Sequence, residues 1–340
     1  YEWLISARFQ YQDLRIKVPY FHHTKQGWDL YFCSYTPIPT VELASSYSLC
    51  VEVLKKLGIE VNNIYLIRFN MDYVRGQELD YNQLWIVSDK FCSAKGNPSL
   101  SIDLTVKQRT KDLNLLLKNI DEFDPEDIVP EKNANCTRRN KCVYFDICFP
   151  EHTKAPDNSI LLLNGCAHKE EMYAKGIRRM KDADLSLVEG NKIQYAQIMA
   201  DRANGLFVDK LALKRWYSLI ESDPAIFLDF EWDVYAVPPY EGMKPLSVLP
   251  FQYSMHILNQ GKITHKEYLG QGDCRKTFIE HLLKDLPKKG KIYAYNALGA
   301  EMLRIKELAE QFPEYKKPLL KINARMVDLS LPFESGLIYD

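Results

Sequence analysis

The chain has 340 residues, enough for two domains that each bury a hydrophobic core. Hydrophobic residues make up 46% and charged residues 26%, which is typical of a soluble globular protein, and no apolar run approaches the roughly 20 residues that cross a bilayer. The start, Tyr1-Glu2-Trp3-Leu4, lacks the layout of a signal peptide, so we expect a cytoplasmic protein with no membrane partner. A net charge of −1 excludes a global attraction to nucleic acid, which would have to bind at local basic runs such as 138–141 or 288–291.

The first part of the chain predicts strands and one helix. Period-two or continuous apolar runs predict strands at 8–11, 14–18 and 28–33, and apolar positions at helical spacing predict a helix over 41–57. A further buried strand is predicted over 63–69. This order is that expected of a PD-(D/E)XK nuclease core, although a β-meander followed by a helix is common in other folds.

Three cysteines, Cys136, Cys142 and Cys148, stand at intervals of six in a loop-rich segment that Pro150 closes. Such spacing can bring three thiolates to one point, where they would select zinc or an iron–sulfur cluster and need a fourth ligand. The alternative is three unligated thiols in an irregular loop. The other five cysteines are scattered and are predicted to be small buried hydrophobes.

The middle of the chain predicts a linker with helices. We expect a short strand over 158–163 and amphipathic helices over 194–203 and 210–220. The resulting domains are 1–150, a helical linker at 151–222, and 223–340.

A buried strand over 225–232 carries Asp229 and Glu231 on one face, two residues apart. Two carboxylates on a core strand call for a divalent metal or a buried arginine. The RNase H-like DEDD 3′–5′ exonucleases begin with the same Asp-x-Glu on their first strand. The alternative is an ordinary strand that emerges into solvent at Asp229.

The last third of the chain has an α/β rhythm. Strands are predicted at 250–258 and 264–269, then a helix at 275–286, a strand at 291–296 and a helix at 299–311. This succession is the RNase H-like order, and it favours a catalytic interpretation of Asp229 and Glu231.

Several motifs together resemble a bacterial family described as domain of unknown function 2779. The landmarks are 227–231, 237–242, 250–256, Asn296 with Glu301, 304–309 and 325–329. The cysteine cluster and the strand 27–30 extend the similarity to almost the whole chain.

The resemblance implies an α/β protein in which a PD-(D/E)XK-like, RecB-like N-terminal domain precedes an RNase H-like mixed-sheet domain. It also implies that Cys136, Cys142 and Cys148 are three of four ligands of a 4Fe-4S cluster, with zinc as the alternative. In such proteins the fourth cysteine lies far upstream, at the start of the nuclease domain. We expect that ligand to lie outside this sequence, and the less favoured alternative is substitution by Cys33 or Cys50.

Two departures from the family pattern matter. The RecB-like site needs Asp on one strand and Glu-x-Lys on the next, whereas this chain has Pro19, Phe32 and Ser34 there. We therefore expect the first domain to be an inactive nuclease fold. In the second domain, Glu301 replaces the usual Asp of the second motif, and Asp328 lies at a predicted helix start. The last motif should follow Asp328 at some distance, but the residues up to Asp340 do not match it. We therefore expect that domain to be incomplete at its C-terminus.

The sequence and the resemblance together predict a two-metal-ion nuclease that uses Mg²⁺ or Mn²⁺ and acts on nucleic acid, DNA rather than RNA. The predicted catalytic acids are Asp229, Glu231, Glu301 and Asp328. The predicted substrate contacts are Asn296, His256 and Tyr253, although a histidine or tyrosine on an alternating strand is commonly structural. The rival is a non-catalytic nucleic-acid-binding or scaffolding protein stabilised by a structural metal cluster.

Overall fold

A computed structural model describes residues 2–110, 112–124, 136, 142–150 and 156–340. The chain forms two compact units, one of Tyr1–Glu126 with Asp233–Leu249 and one of Asp127–Trp232 with Pro250–Asp340. This division differs from the predicted one, because 151–222 is part of the second unit rather than a linker. The basic run 138–141 lies outside the described residues.

The first unit is built on a five-stranded mixed sheet in the order β1–β2–β3–β4–β5. Strands β3 and β4 are parallel and are joined through helix α1, while the other neighbours are antiparallel. Its elements are β1 Trp3–Tyr11, β2 Leu14–Thr24, β3 Gly27–Ser34, α1 Ala44–Lys56, β4 Val61–Phe69, α2 Tyr81–Leu84, β5 Trp85–Ser88, β6 Lys90–Cys92, β7 Pro98–Ser101, α3 Ile102–Gln108 and α4 Leu113–Asp121.

Helix α1 covers one face of this sheet. Its apolar residues Tyr47, Val51 and Leu54 recur at helical spacing and pack in one core with Leu30 and Leu66 of the strands. The strands and the helix predicted for this part of the chain are confirmed, and β1 and β2 are longer than predicted.

The segment Asp233–Leu249 is part of the first unit because its backbone bonds to Arg75. The Gly242 amide donates to the Arg75 carbonyl at 2.7 Å, and the Arg75 amide donates to the Met243 carbonyl at 2.9 Å. The guanidinium of Arg75 adds a hydrogen bond to the Pro238 carbonyl at 2.8 Å. Met243 is fully buried, so the segment also contributes an apolar anchor.

The second unit contains a five-stranded mixed sheet in the order β11–β10–β9–β12–β13. Strand β12 is parallel to both β9 and β13, and β10 is antiparallel to β11. The elements are α5 Phe145–Cys148, α6 Lys169–Ala174, α7 Lys192–Arg202, β8 Phe207–Val208, α8 Lys210–Ile220, β9 Ala225–Tyr235, β10 Ser247–Asn259, β11 Lys262–Leu269, α9 Arg275–Asp285, β12 Lys291–Ala294, α10 Glu301–Gln311, α11 Lys316–Asn323, β13 Met326–Asp328, α12 Leu331–Glu334 and β14 Ile338–Tyr339.

The two faces of this sheet are covered differently. Helices α9, α10 and α11 pack on one face, where Phe278, Ile305 and Leu319 meet the strand residues of the main core. On the other face, Trp216 and Ile220 of α8 cover a smaller cluster of strand residues, Ala225, Tyr293 and Val327. The C-terminal half of β9 is left uncovered on that second face, since Asp229 and Glu231 are exposed there.

Most of the predicted elements of the second unit are confirmed, including the strands and helices between 250 and 311 and helices α7 and α8. The predicted strand over 158–163 is instead a 3₁₀ helix, Ile160–Leu162, because the Ser159 hydroxyl accepts a hydrogen bond from the Leu161 amide. Asp328 ends strand β13 rather than beginning a helix. Within the part of the chain that the structure describes, no helix is long and apolar enough to cross a membrane.

Candidate acidic site at the strand ends

Strand β9 presents Asp229 and Glu231 on the same face, because side chains alternate along a strand. Leu228 and Phe230, which alternate with the two acids, are buried in the main core, whereas both acids are exposed. Solvation therefore stabilises these two carboxylates without a metal, and the burial argument drawn from the sequence does not apply to them. It applies to two other acids.

Glu301 is the first residue of helix α10, and it is only 2% exposed. The Phe230 amide donates to its carboxylate, but Oε2 has no hydrogen-bond partner among the described residues. Burial raises the pKa of the Glu301 carboxyl, and the negative charges of Asp229 and Asp328 raise it further. Glu301 is thus a buried acid close to two other acids.

Asp328 ends β13 in register with Ala294 of β12, and it is 5% exposed. Its Oδ2 accepts from the Leu298 amide at 3.0 Å, and its Oδ1 accepts from the amide and hydroxyl of Ser330 at 2.9 and 2.8 Å. Burial by itself raises the pKa of Asp328, but these hydrogen bonds together outweigh burial and lower the pKa. Asp328 is therefore held as a carboxylate that also fixes the turn after β12.

Asn296 directs that turn toward Glu301. Its φ of +56° lies in the left-handed region, which asparagine tolerates better than most residues. Its carbonyl accepts from the amides of Gly299 and Ala300, both at 3.0 Å. A Cβ atom at Gly299 would lie 2.9 Å from the Asn296 side-chain oxygen, so a larger residue there would make the Asn296 side chain shift. The geometry gives Asn296 a role in shaping the turn, with its side chain exposed.

His256 lies on strand β10 with its side chain exposed. Since its neighbours Met255 and Ile257 are in the main core, His256 projects from the opposite face, which is the face that carries Asp229. Its ring stacks on His265 of β11 with centroids 4.5 Å apart.

The structure does not place Tyr253, a predicted substrate contact, at the surface of the sheet. It is fully buried in the main core, and its hydroxyl donates to Asp285 Oδ2 at 2.9 Å. Burial raises the pKa of Tyr253, as does this hydrogen bond. Its function is to pack the sheet against α9, where its ring meets Phe278 edge to face.

The acidic cluster of Asp229, Glu301 and Asp328 fits a hard divalent cation in its chemistry, since carboxylate oxygens are the donors that Mg²⁺ and Mn²⁺ prefer. The buried Oε2 of Glu301, which has no partner among the described residues, is an unused donor of this kind. Within the described ranges, however, no three His, Cys, Asp or Glu side chains stand in an arrangement that would hold a metal ion. The three acids are thus near enough to affect one another electrostatically, but their oxygens do not converge as ligands.

The three clustered cysteines are half-buried, and the Cys142 amide donates to the Cys136 carbonyl at 3.0 Å, while Cys148 ends helix α5. Among the described residues, these thiols likewise form no group that would hold a metal ion. The proposed substitutes Cys33 and Cys50 belong to the first unit. Burial raises the pKa of the Cys50 thiol to about 11, which disfavours the thiolate that a metal requires. The 4Fe-4S or zinc cluster stays a prediction.

The positions that correspond to a RecB-like site have structural roles. Phe32 is buried and stacks on Tyr47 with ring centroids 3.8 Å apart, and the Ser34 hydroxyl shares a hydrogen bond with Thr36 at 2.8 Å. Pro19 on β2 is half-buried. None of the three offers a carboxylate or an amine.

Sequence reasoning missed two features. Asp29 is a buried acid on β3 whose Oδ1 accepts from the side chains of Asn62 and Asn63 and from the Asn63 amide, at 3.0–3.1 Å. The sequence pattern that indicates this buried acid is an Asp inside a continuous apolar run. The second feature is a cavity of about 430 Å³ beside Phe227. No local motif predicts this cavity, because its lining residues are distant from one another in the sequence.

Over the described residues, the chain is a mixed α/β protein with two mixed five-stranded sheets. Residues 226–340 match the model of a family described as Domain of unknown function (DUF2779), and this region holds all four predicted catalytic acids. No curated protein and no solved structure matches the chain.

Proposed function

We propose that the second unit is a metal-dependent nuclease that removes nucleotides from the 3′ end of a nucleic acid, with DNA favoured over RNA. The observation that carries the proposal is Glu301, a buried carboxyl with an unpartnered oxygen among the described residues and with Asp229 and Asp328 close by. Burying an acid beside two others lowers the stability of a fold, unless a bound cation compensates the negative charges.

The fold supports this interpretation. The central strand carries the first acid pair, the antiparallel strands β10 and β11 follow it, and the parallel strands β12 and β13 bring Glu301 and Asp328 to the same edge. This succession agrees with the RNase H-like domain that the family resemblance implies. The carboxyl ends of parallel strands are also where α/β proteins commonly bind ligands.

Asp229, Glu301 and Asp328 would hold the cation, and Glu231 would extend the same acidic surface along β9. A bound Mg²⁺ or Mn²⁺ supplies an acidified water and charge stabilisation at the phosphate. Because the pKa of Glu301 is raised, protons would compete with the cation for this carboxylate more strongly than at an exposed glutamate. Asp328 is already ionised and is fixed by its three hydrogen bonds.

The first unit would then be an inactive PD-(D/E)XK-like fold that is retained for structure or for contact with DNA. The burial of Phe32 and the engaged hydroxyl of Ser34 support this part of the proposal. The rival function is non-catalytic binding of nucleic acid, and the unconverged oxygens of the acidic cluster favour it.

Degradation of labelled single-stranded DNA and RNA in the presence of Mn²⁺ tests the proposal. We expect Asp229→Asn and Glu301→Gln each to lower the rate at least 100-fold, while Glu310→Gln, on an exposed position of the same helix, leaves it unchanged. A 5′ label reports stepwise shortening from the 3′ end. Activity of both variants equal to that of the wild type would refute the site, and absence of hydrolysis by the wild type would favour the rival.

The metal cluster has a separate test. Protein purified without oxygen should absorb visible light if the cysteines hold a 4Fe-4S cluster, and should be colourless with bound zinc. Replacing Cys142 by alanine should abolish the absorbance or the zinc content. Wild-type protein that contains neither metal would remove the cluster prediction.

A further inference from the structure

The cavity beside Phe227 lies within the second unit, and its lining includes four aromatic residues. Trp216 and Tyr217 of α8, Phe227 of β9 and Tyr293 of β12 all line a volume of about 430 Å³. This size is within the range of small-molecule sites. Phe227 and Tyr293 already stack with centroids 5.3 Å apart, while Phe227 stays 44% exposed. An exposed ring at the mouth of a ring-lined cavity is suited to stacking on a planar ligand.

The charged side chains that line this cavity are acceptors, beside the neutral polar residues Ser222 and Gln260. The carboxylates of Glu221 and Asp223 lie on its wall, and the negative charge of Glu221 contributes to the raised pKa of Tyr293, after burial and Tyr217. Carboxylates only accept hydrogen bonds, so they favour a ligand with amino or ring N–H donors and disfavour a phosphate. A planar ring with N–H donors describes a nucleobase.

The cavity also lies beside the acidic cluster. Phe227 and Asp229 project from the same face of β9, two residues apart, which corresponds to about 7 Å along a strand. A nucleotide spans a comparable separation, with its base at one end and its phosphate at the other.

We propose that this cavity binds the base of the 3′-terminal nucleotide, so that the phosphodiester bond next to it lies at Asp229, Glu301 and Asp328. The inference rests on the proposed nuclease function and gives it a substrate class, a single-stranded 3′ end. Stacking on Phe227 supplies most of the affinity and tolerates different bases. The carboxylates favour bases that carry an exocyclic amino group.

The test measures binding without hydrolysis, in EDTA. Single-stranded DNA with 2-aminopurine as its 3′-terminal base loses fluorescence when that base stacks on a protein ring, and a second oligonucleotide carries the probe five positions inward. We expect quenching of the terminal probe only. Phe227→Ala should weaken binding of the terminal probe about tenfold or more. The matched control is Phe333→Ala, a phenylalanine of similar exposure, 49%, which should change nothing.

The outcomes separate the cavity from the nuclease. Unchanged terminal quenching in Phe227→Ala, or equal quenching of the internal probe, would overturn the base-binding cavity even if Asp229→Asn loses hydrolysis. If Phe227→Ala loses terminal quenching while the wild type never hydrolyses DNA with Mn²⁺, the cavity stands and the nuclease function does not. Because Phe227 is exposed, its truncation should leave folding intact, which circular dichroism checks.

Discussion

Replacing Glu301 by glutamine should stabilise the cation-free protein and weaken its response to Mn²⁺. The carboxyl is 2% exposed, its Oε2 has no partner within the described residues, and Asp229 and Asp328 are close. Glutamine keeps the oxygen that accepts from the Phe230 amide, and its new amide group can donate toward the neighbouring acids. The substitution therefore removes charge repulsion without leaving a cavity.

A buried polar group without a partner costs about 1–3 kcal/mol. At about 2–4 °C per kcal/mol for a unit of this size, the melting temperature should rise by about 2–12 °C. The size of this rise in melting temperature depends on pH. Because the folded pKa of Glu301 is raised above 4.5, the wild type loses stability as the pH rises through the folded pKa. The advantage of the variant should therefore be small near pH 4.5 and larger at about pH 8.

Thermal unfolding in EDTA at both pH values measures this effect, and the same scans with Mn²⁺ measure ligand binding. Mn²⁺ should raise the melting temperature of the wild type and raise that of Glu301→Gln much less. Glu310→Gln, on an exposed position of the same helix, should behave like the wild type. A Glu301→Gln protein that is less stable than the wild type in EDTA at pH 8 would refute this reasoning.

Three other substitutions test other parts of the structure. Asp29→Ala should cost about 2–3 kcal/mol in urea unfolding, because three donors lose their acceptor; a loss below 0.5 kcal/mol would contradict it. Asp328→Asn should destabilise the protein by about 1–2 kcal/mol at neutral pH. Because the folded pKa of Asp328 is lowered, that difference should shrink as the pH falls toward 3, and a constant difference would show that its charge is not involved. Tyr253→Phe should lose about 1 kcal/mol and leave hydrolysis and DNA binding unchanged, whereas weaker DNA binding would restore a substrate role.

Local patterns predicted the strands and helices well. A continuous apolar run identified β9, alternation identified β10, and helical spacing identified α1 and α8, because these signals depend on residues close together in the sequence. The alternation along β10 also bears on the predicted substrate contacts. Tyr253 and His256 are three residues apart on one strand, so they must project from opposite faces, and only one of them can share a face with Asp229.

The features that the sequence did not predict depend on contacts between residues that are distant in the chain. The burial of Glu301 arises where the turn after β12 meets the ends of β9 and β13, and no motif within 296–301 specifies that meeting. The allocation of 233–249 to the first unit depends on hydrogen bonds to Arg75, which is more than 150 positions away. Composition near a predicted boundary carries no information about such pairing.

The discontinuous first unit limits how the protein can be dissected. The chain passes from one unit to the other at three points, near 126, 232 and 249, so no single cut releases either unit with all its own residues. A recombinant fragment that stops at 126 would lack buried Met243 and leave the backbone of Arg75 without its bonding partners. A fragment confined to the matched region 226–340 would carry the segment 233–249 without Arg75, to which it bonds. Grafting the acidic strands onto another scaffold would therefore call for a short engineered turn in place of 233–249.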